Sequence, residues 1–305
     1  MMQLTKEHFQ PISMDLRQAE EIKRPSLSFW ADAWRRLRMN KVAMASLIFL
    51  IILILCATFV PIFSHNNYFS NDLVGKNKAP SAEHWFGTDD LGRDVFVRVW
   101  YGARISLEVG FAAALSDLLL GVLWGGIAGF FGGKVDEIMM RIADILFAIP
   151  YLLVVILLMV VMDPGVLTII IAMSITGWIG MARIVRGQMM QLKAQEFVLA
   201  ARSLGADSKR IIFKHLIPNA LGPIIVTLSL TVPSAIFTES FLSFLGLGVA
   251  APIASWGTMA SEGLPAMKYY PWRLMFPAVF ISITMLAFNL FGDGIRDAVD
   301  PRLRK

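Results

Sequence analysis

Long runs of uncharged, mostly apolar residues recur along the chain, and their length predicts membrane-spanning helices. A spanning helix needs about 20 such residues. Six stretches bounded by ionisable residues meet that requirement: Val42–Ser64, Val109–Gly133, Ile145–Met162, Pro164–Ala182, Leu216–Thr238 and Leu274–Gly292. Only the second contains an acid or base, Asp117. One or two such runs would fit the buried helices of a soluble core, but six in one chain predict an integral membrane protein. The first run does not read as a secretory signal. Residues 1–41 precede it, it exceeds the length of a signal core, and no small-residue cleavage site follows.

The segments between the spans fix an expected orientation. With the N-terminus inside, residues 1–41, 134–144, 183–215 and 293–305 are cytoplasmic and hold 21 Lys and Arg. The outer segments, 65–108, Asp163 and 239–273, hold 7. Cytoplasmic loops are the basic ones in membrane proteins, so both termini are expected in the cytoplasm. Trp100, Trp256 and Trp272 fall near outer ends of spans and Trp178 near an inner end, where interfacial aromatic rings are expected.

Composition excludes other classes. Of 305 residues, 56% are hydrophobic and 17% charged, against about 25% charged in ordinary soluble domains. One cysteine, Cys56, allows neither an intrachain disulfide nor a cysteine-based zinc site. The four histidines are scattered without metal-ligand spacing, so no metal site is expected. Gly132–Val135 reads GGKV, but a phosphate-binding loop also needs a glycine where Ala128 stands and a Ser or Thr where Val135 stands. A nucleotide site on this chain is therefore not expected.

Several features outside and inside the spans carry candidate roles. In Ser28–Lys41, Phe29, Trp30, Ala33, Trp34 and Leu37 share a helical face, with Arg35, Arg36 and Arg38 towards the other. That pattern predicts a helix lying on the inner membrane surface. Residues 65–104 form a long loop rich in Pro, Gly, Asn and Asp. Its Asp89, Asp90, Arg93 and Asp94 fit either a solvated turn or a partner contact. Gly121, Gly125, Gly129 and Gly133 recur every four residues and invite close approach of a second helix, more readily within the chain than across a dimer. Asp117 is a functional candidate, because an intramembrane acid is costly, although a neighbouring Ser or Trp, or protonation, would also satisfy it. Thr227, Ser229, Thr231, Pro233 and Ser234 suit the wall of a polar pathway. The alternative is that their hydroxyls bond back to their own helix.

The basic segment 183–215 is the most informative. A short helix is predicted from about Ala194 to Leu204, stopped by Gly205, and a second capped by Asp207 or Ser208, with Pro218 at the entry to the fifth span. On the first helix Phe197, Ala200, Ala201 and Leu204 form a narrow apolar face. Such a face fits a groove on another protein or the underside of the membrane domain itself.

The order Glu196-Phe197-Val198-x-Ala200-Ala201-x-Ser203-Leu204-Gly205, then nine residues to His215-Leu216-Ile217-Pro218-Asn219, resembles the loop of ATP-binding-cassette importer permeases. Glu196, Ala200, Ala201, Gly205 and Pro218 match, while His215 and Ile217 depart from the general pattern as the peptide branch does. HWFGTDDLGRDVFVRVWYGARISL (His84–Leu107), SFLGLGVAAPIASWGTM (Ser243–Met259) and FNLFGDGIRDAVDPRLR (Phe288–Arg304) resemble that same oligopeptide/dipeptide branch, in its C-type subunit with an extra N-terminal span. The resemblance covers residues 28–305.

This resemblance implies an all-α integral membrane protein with six transmembrane helices, the type I ABC importer permease fold, in the cytoplasmic membrane. The expected divisions are 1–41 (cytoplasmic segment with an interfacial helix), 42–64 (first span), 65–104 (extracellular loop), 105–293 (five-helix transmembrane domain) and 294–305 (cytoplasmic tail). It implies a permease subunit of an ATP-driven oligopeptide importer; dipeptide, glutathione or nickel transport is the alternative. A homologous B-type permease subunit, two cytoplasmic ATPases and an extracellular peptide-binding protein are the implied partners, with no nucleic acid. No catalytic residue and no bound cofactor are expected, because ATP and Mg belong to the ATPases. Glu196, Phe197, Ala200, Ala201, Leu204, Gly205 and Pro218 are then the coupling residues. Thr227, Thr231, Ser234 and Asp117 are the candidate pathway lining. A transporter working alone would need its own ion relay, for which Asp117 is a single weak candidate. An intramembrane enzyme would need paired catalytic groups, yet no span holds a histidine and no G-x-S-x-G occurs.

Overall fold

The computed structural model describes residues 29–299. The polar leader and half of the tail expected from sequence, residues 300–305, lie outside the described residues. Within them the fold is helical, with one isolated bridge between Thr88 and Asp94. The helices are α1 (Phe29–Met39), α2 (Lys41–Phe63), α3 (Val95–Phe131), α4 (Gly133–Ala148), α5 (Tyr151–Met162), α6 (Val166–Leu192), α7 (Glu196–Ser203), α8 (Ser208–Phe244), α9 (Trp256–Gly263) and α10 (Trp272–Val299). Five of them are long and apolar enough to cross a membrane, and the α4–α5 pair makes a sixth if it counts as one span.

That pair corrects the third expected span. Ile145–Met162 is not one straight helix: α4 and α5 meet at 79°. Pro150 is the cause. It disfavours helical backbone at the residue before it, and Ile149 is extended, with φ −73° and ψ 126°. α5 has 12 residues, about 18 Å of helix against a hydrocarbon core of about 30 Å. α4 begins at Gly133, so most of the segment expected as an inner loop is helix. It is held by Arg186 Nη2 on Asp136 Oδ2 at 2.6 Å, Arg183 on Asp144 at 2.9 Å, and Trp124 Nε1 donating to the Met139 carbonyl at 3.1 Å.

The remaining boundaries follow from caps and prolines. Asn40 Oδ1 accepts from the Val42 and Ala43 amides at 3.1 Å and starts α2. Asp94 Oδ1 accepts from the Val97 amide at 3.0 Å and starts α3 well before the apolar run begins. α3 has 37 residues, about 55 Å, so it projects beyond a bilayer core. α8 also extends past its apolar run. The second short helix predicted after Gly205 is the first turns of α8, continuous with the fifth span through a π-helical turn at Ile211–Leu216. That wider turn precedes Pro218, whose ring would clash with the carbonyl four residues back in a regular α-helix.

Tight packing of α3 on α6 organises the molecule. A Cβ at Gly121 would lie 2.6 Å from the Met181 Cβ, at Gly125 2.2 Å from the Ala182 carbonyl oxygen, and at Gly129 2.6 Å from the Arg186 carbonyl oxygen. The first three glycines of the stripe thus let one helix lie on another within the chain. The fourth, Gly133, opens α4 instead. At the end of α3, Lys193 Nζ donates to the Gly129 carbonyl at 2.8 Å. α2, α3, α8 and α10 share a core of Leu50, Leu53, Leu107, Ile236 and Phe288. The outward faces of α2 leave Ile48, Ile52, Leu55 and Phe59 exposed, as lipid contact requires. On α1, Ala33 and Leu37 are buried, Leu37 packing with Ala43 and Ala298, while Trp30 and Trp34 stay exposed.

The 64–94 segment is anchored, not a solvated turn. Asp89, Arg93 and Asp94 are buried. Arg93 Nε donates to Asp89 Oδ2 at 2.6 Å; Arg93 and Arg98 both reach Glu262 on α9, at 3.1 and 2.9 Å; and Arg273 on α10 reaches Asp90 at 3.1 Å. Trp256 and Trp178 are also buried against the chain itself. The Trp256 indole donates to the Val99 carbonyl at 3.0 Å, and Trp178 to the Ile175 carbonyl at 2.9 Å.

Candidate functional site

Two features hold the residues singled out from the sequence: an exposed short helix between α6 and α8, and a recess within the helix bundle.

The short helix is α7. The chain leaves α6 at Leu192, so the connection is shorter than 183–215 and runs from Lys193 to Asp207. Gly205 has φ +82°, a left-handed position where a β-branched side chain is strained. Asp207 Oδ1 accepts from the Arg210 amide at 3.0 Å and starts α8. One side chain ties α7 down: Val198 is fully buried, in a cluster with Met189, Ile211, Ile212 and Leu216. The apolar face read from sequence points elsewhere. Phe197 is 40% exposed and Leu204 88%; Glu196, Ala200 and Gly205 are exposed and Ala201 is half-buried. Among the described residues, the underside of the chain therefore does not cover this face. Pro218 is exposed near the start of α8, in a shallow hollow lined by Asp207, Lys209, Arg210, Phe213 and Lys214.

The recess has a volume of about 570 Å³ and lies between α3, the α4–α5 bend, α6 and α8. Asp117, Thr227, Thr231 and Ser234, which come from two separate spans, all line it, joined by Tyr151 and Thr238. The hydroxyls do both things weighed from sequence. Thr227 donates to the Pro223 carbonyl at 2.9 Å, Thr231 to Thr227 at 3.0 Å and Thr238 to Ser234 at 2.9 Å. All three residues nevertheless line the recess. Ser229 donates to Val226 at 2.7 Å and is not among the lining residues.

Sequence reasoning missed Glu239. It is fully buried on α8. Its carboxyl accepts from Ser106 on α3 and Ser243 on α8, each at 2.7 Å, with Ser240 at 3.4 Å. The signal was present: Glu239 ends an apolar run yet is followed by Ser-Phe-Leu-Ser-Phe-Leu, which continues the helix. Bounding a span at its first charge hid it. Gly132–Val135 joins two helices and follows no strand, so it lacks the setting of a phosphate loop. Among the described residues no cluster of three or more His, Cys, Asp or Glu could hold a metal ion.

Comparison with known proteins was made against this geometry. The family described as "Binding-protein-dependent transport system inner membrane component" matches residues 121–305, and "N-terminal TM domain of oligopeptide transport permease C" matches residues 28–80. The chain is 63% identical over 305 residues to the oligopeptide transport system permease protein OppC of Bacillus subtilis, covering all of both chains. It is 60% identical over 290 residues to the dipeptide transport system permease protein DppC of the same organism, covering 95% of this chain and 91% of that one. OppC of Escherichia coli K12 is 44% identical over 288 residues, covering 94% and 95%. Among solved structures, an inward facing conformation of the MetNI methionine ABC transporter matches with a TM-score of 0.56 at 18% identity, over 67% of this chain and 96% of that one. This likeness shows the fold, that of type I ABC importer permeases. The helices and these relatives make the chain a multi-pass protein of the cytoplasmic membrane, and it belongs to the family of binding-protein-dependent transport system inner membrane components, in its oligopeptide/dipeptide permease C branch.

Proposed function

We propose that this chain is the membrane-spanning permease subunit of an ATP-driven oligopeptide importer. A homologous B-type permease completes the translocation pathway, and Asp117, Thr227, Thr231 and Ser234 line this chain's share of it. Two cytoplasmic ATPases hold and hydrolyse ATP with Mg, and an extracellular peptide-binding protein delivers the cargo. Both termini are cytoplasmic, which puts α7 on the ATPase side. There Phe197, Ala200, Ala201 and Leu204 seat in a groove of an ATPase, Glu196 and Gly205 fix the ends of the helix, and Pro218 fixes the turn behind it. Closure of the ATPases on ATP moves α7, and α8 carries that movement to the recess.

The observation that carries this reading is the apolar face of α7, left uncovered by the described residues while Val198 is packed behind it. A relative with the same length and 63% identity is an oligopeptide permease, which supports the substrate class. The 60% identity to a dipeptide permease favours dipeptides as the second reading. Deleting this chain in a strain that carries the whole transporter, then measuring uptake of labelled tri- to pentapeptides and of dipeptides, tests both. Loss of tri- to pentapeptide uptake, restored by the gene, is expected. Loss of dipeptide uptake alone selects the second reading, and unchanged uptake of both refutes the proposal.

A further inference from the structure

Asp117 is 8% exposed, and its Oδ1 is buried without a hydrogen-bond partner. The carboxylate lies over Gly177, where the two halves of α6 meet: a Cβ there would come within 2.5 Å of Oδ1 and 2.7 Å of Oδ2. Glycine at that position makes room for the acid. The hydroxyl of Tyr151 is also buried and unpartnered, and both residues line the recess. Among the described residues lining the recess, none is Lys, Arg or His. A buried carboxylate with an orphaned oxygen is costly until a donor or a cation meets it.

Part of the wall has the same polarity. Thr227, Thr231 and Thr238 spend their hydroxyl protons on helix carbonyls. A hydroxyl whose proton is used offers only its oxygen lone pairs. These three hydroxyls add acceptors beside the acid, the hydroxyls of Tyr151, Thr176 and Ser234 can either donate or accept, and the one side chain in the lining that carries a full charge when ionised is Asp117. Its complement is a positively charged group with several N–H donors. A peptide of arbitrary sequence always carries one such group, the α-ammonium of its first residue.

We propose that Asp117, with Tyr151 beside the same recess, is a station for the α-ammonium of the passing peptide. The carboxylate takes the charge and accepts N–H bonds. The tyrosine and threonine oxygens accept the remaining ammonium and amide hydrogens. The station recognises cargo by its terminus and so tolerates any side chains. This inference rests on the reading of the recess as part of the pathway.

The test uses the purified complex of this chain with its permease and ATPase partners, without the binding protein, so that selection by that protein does not intervene. Saturation-transfer NMR compares alanyl-phenylalanine amide, a cation, with its neutral N-acetyl form. The intact complex should bind the N-acetyl peptide about tenfold more weakly, the loss of one charge-assisted contact. Asp117→Asn should remove that difference while the subunits still co-purify. Equal binding of both peptides by the intact complex, no binding of either, or discrimination that survives Asp117→Asn overturns the assignment. Ser234→Trp, which fills the recess, separates the two levels. If peptide uptake by cells survives Ser234→Trp, the recess is not the pathway. If uptake stops but Asp117→Asn still discriminates, the ammonium station alone fails.

Discussion

A buried carboxyl joins two helices at Glu239, and its neighbours show what single side chains contribute. Ser106 reaches from α3 to Oε2 at 2.7 Å, with Ser240 at 3.4 Å from the same oxygen. Hydrogen bonds between membrane helices are worth about 0.6 kcal/mol on average and up to about 1.7. Ser106→Ala should therefore destabilise the detergent-solubilised protein by about 1 kcal/mol in thermal unfolding. A change within error would mean that the contact does not hold α3 to α8. Glu196 belongs to the same scale. It stands in the first turn of α7, where the helix dipole favours an acid by about 0.3–1 kcal/mol. Glu196→Lys should cost that much in stability, so any larger effect on transport must come from a contact made by another subunit.

At the scale of elements, the α3–α6 contact offers a paired experiment one residue apart. A side chain at Gly125 meets the Ala182 backbone, with a Cβ 2.2 Å from its carbonyl oxygen, whereas one at Gly126 meets nothing within 4 Å. Overpacking costs about 1–3 kcal/mol, and replacing a helical glycine by alanine gains up to about 1. Gly125→Leu should lower the unfolding temperature and the yield of assembled protein, and Gly126→Ala should leave both unchanged or improved. Equal effects would mean that the two helices separate freely. The stripe was legible because small residues every four positions have few other uses inside a membrane. The short helix before Gly205 and the Asp207 cap were legible from local chemistry as well. What escaped reading had two causes. Spans were bounded at charges, which hid Glu239, the early start of α3 at Asp94 and the start of α8 at Ser208. Apolar length also took no account of Pro150, which breaks Ile145–Met162 into two helices. The recess could be anticipated in its residues, Asp117, Thr227, Thr231 and Ser234, but not in its shape, because Tyr151 and Gly177 enter it only through that bend and through the packing of α6.

For the whole molecule, orientation sets which face meets which partner. The segments assigned inside hold 21 Lys and Arg and those assigned outside hold 7. With Cys56 replaced by serine, single cysteines at Asn71 and Lys268 should react with an impermeant thiol reagent on intact cells. A cysteine at Ser208 should react only after permeabilisation. Both external positions are exposed on the folded chain, so silence there cannot come from burial. The reverse pattern of labelling would invert the molecule and remove α7 from the ATPase side.

The central claim is that α7 transmits the work of the ATPases. Reconstituted complexes carrying Ala201→Trp or Gly205→Val test it through ATP hydrolysis stimulated by peptide-loaded binding protein. Trp at 201 enlarges the face that the proposal seats in a groove of an ATPase. Val at 205 must adopt φ +82°, a left-handed backbone that costs L-residues about 1–2 kcal/mol and β-branched ones more. Neither residue lies in a span, so both variants should insert and pair with the B-type permease. The account predicts that stimulation and peptide uptake fall together, with the ATPases either detached or hydrolysing at the unstimulated rate. Full stimulation and full uptake in both variants would contradict it.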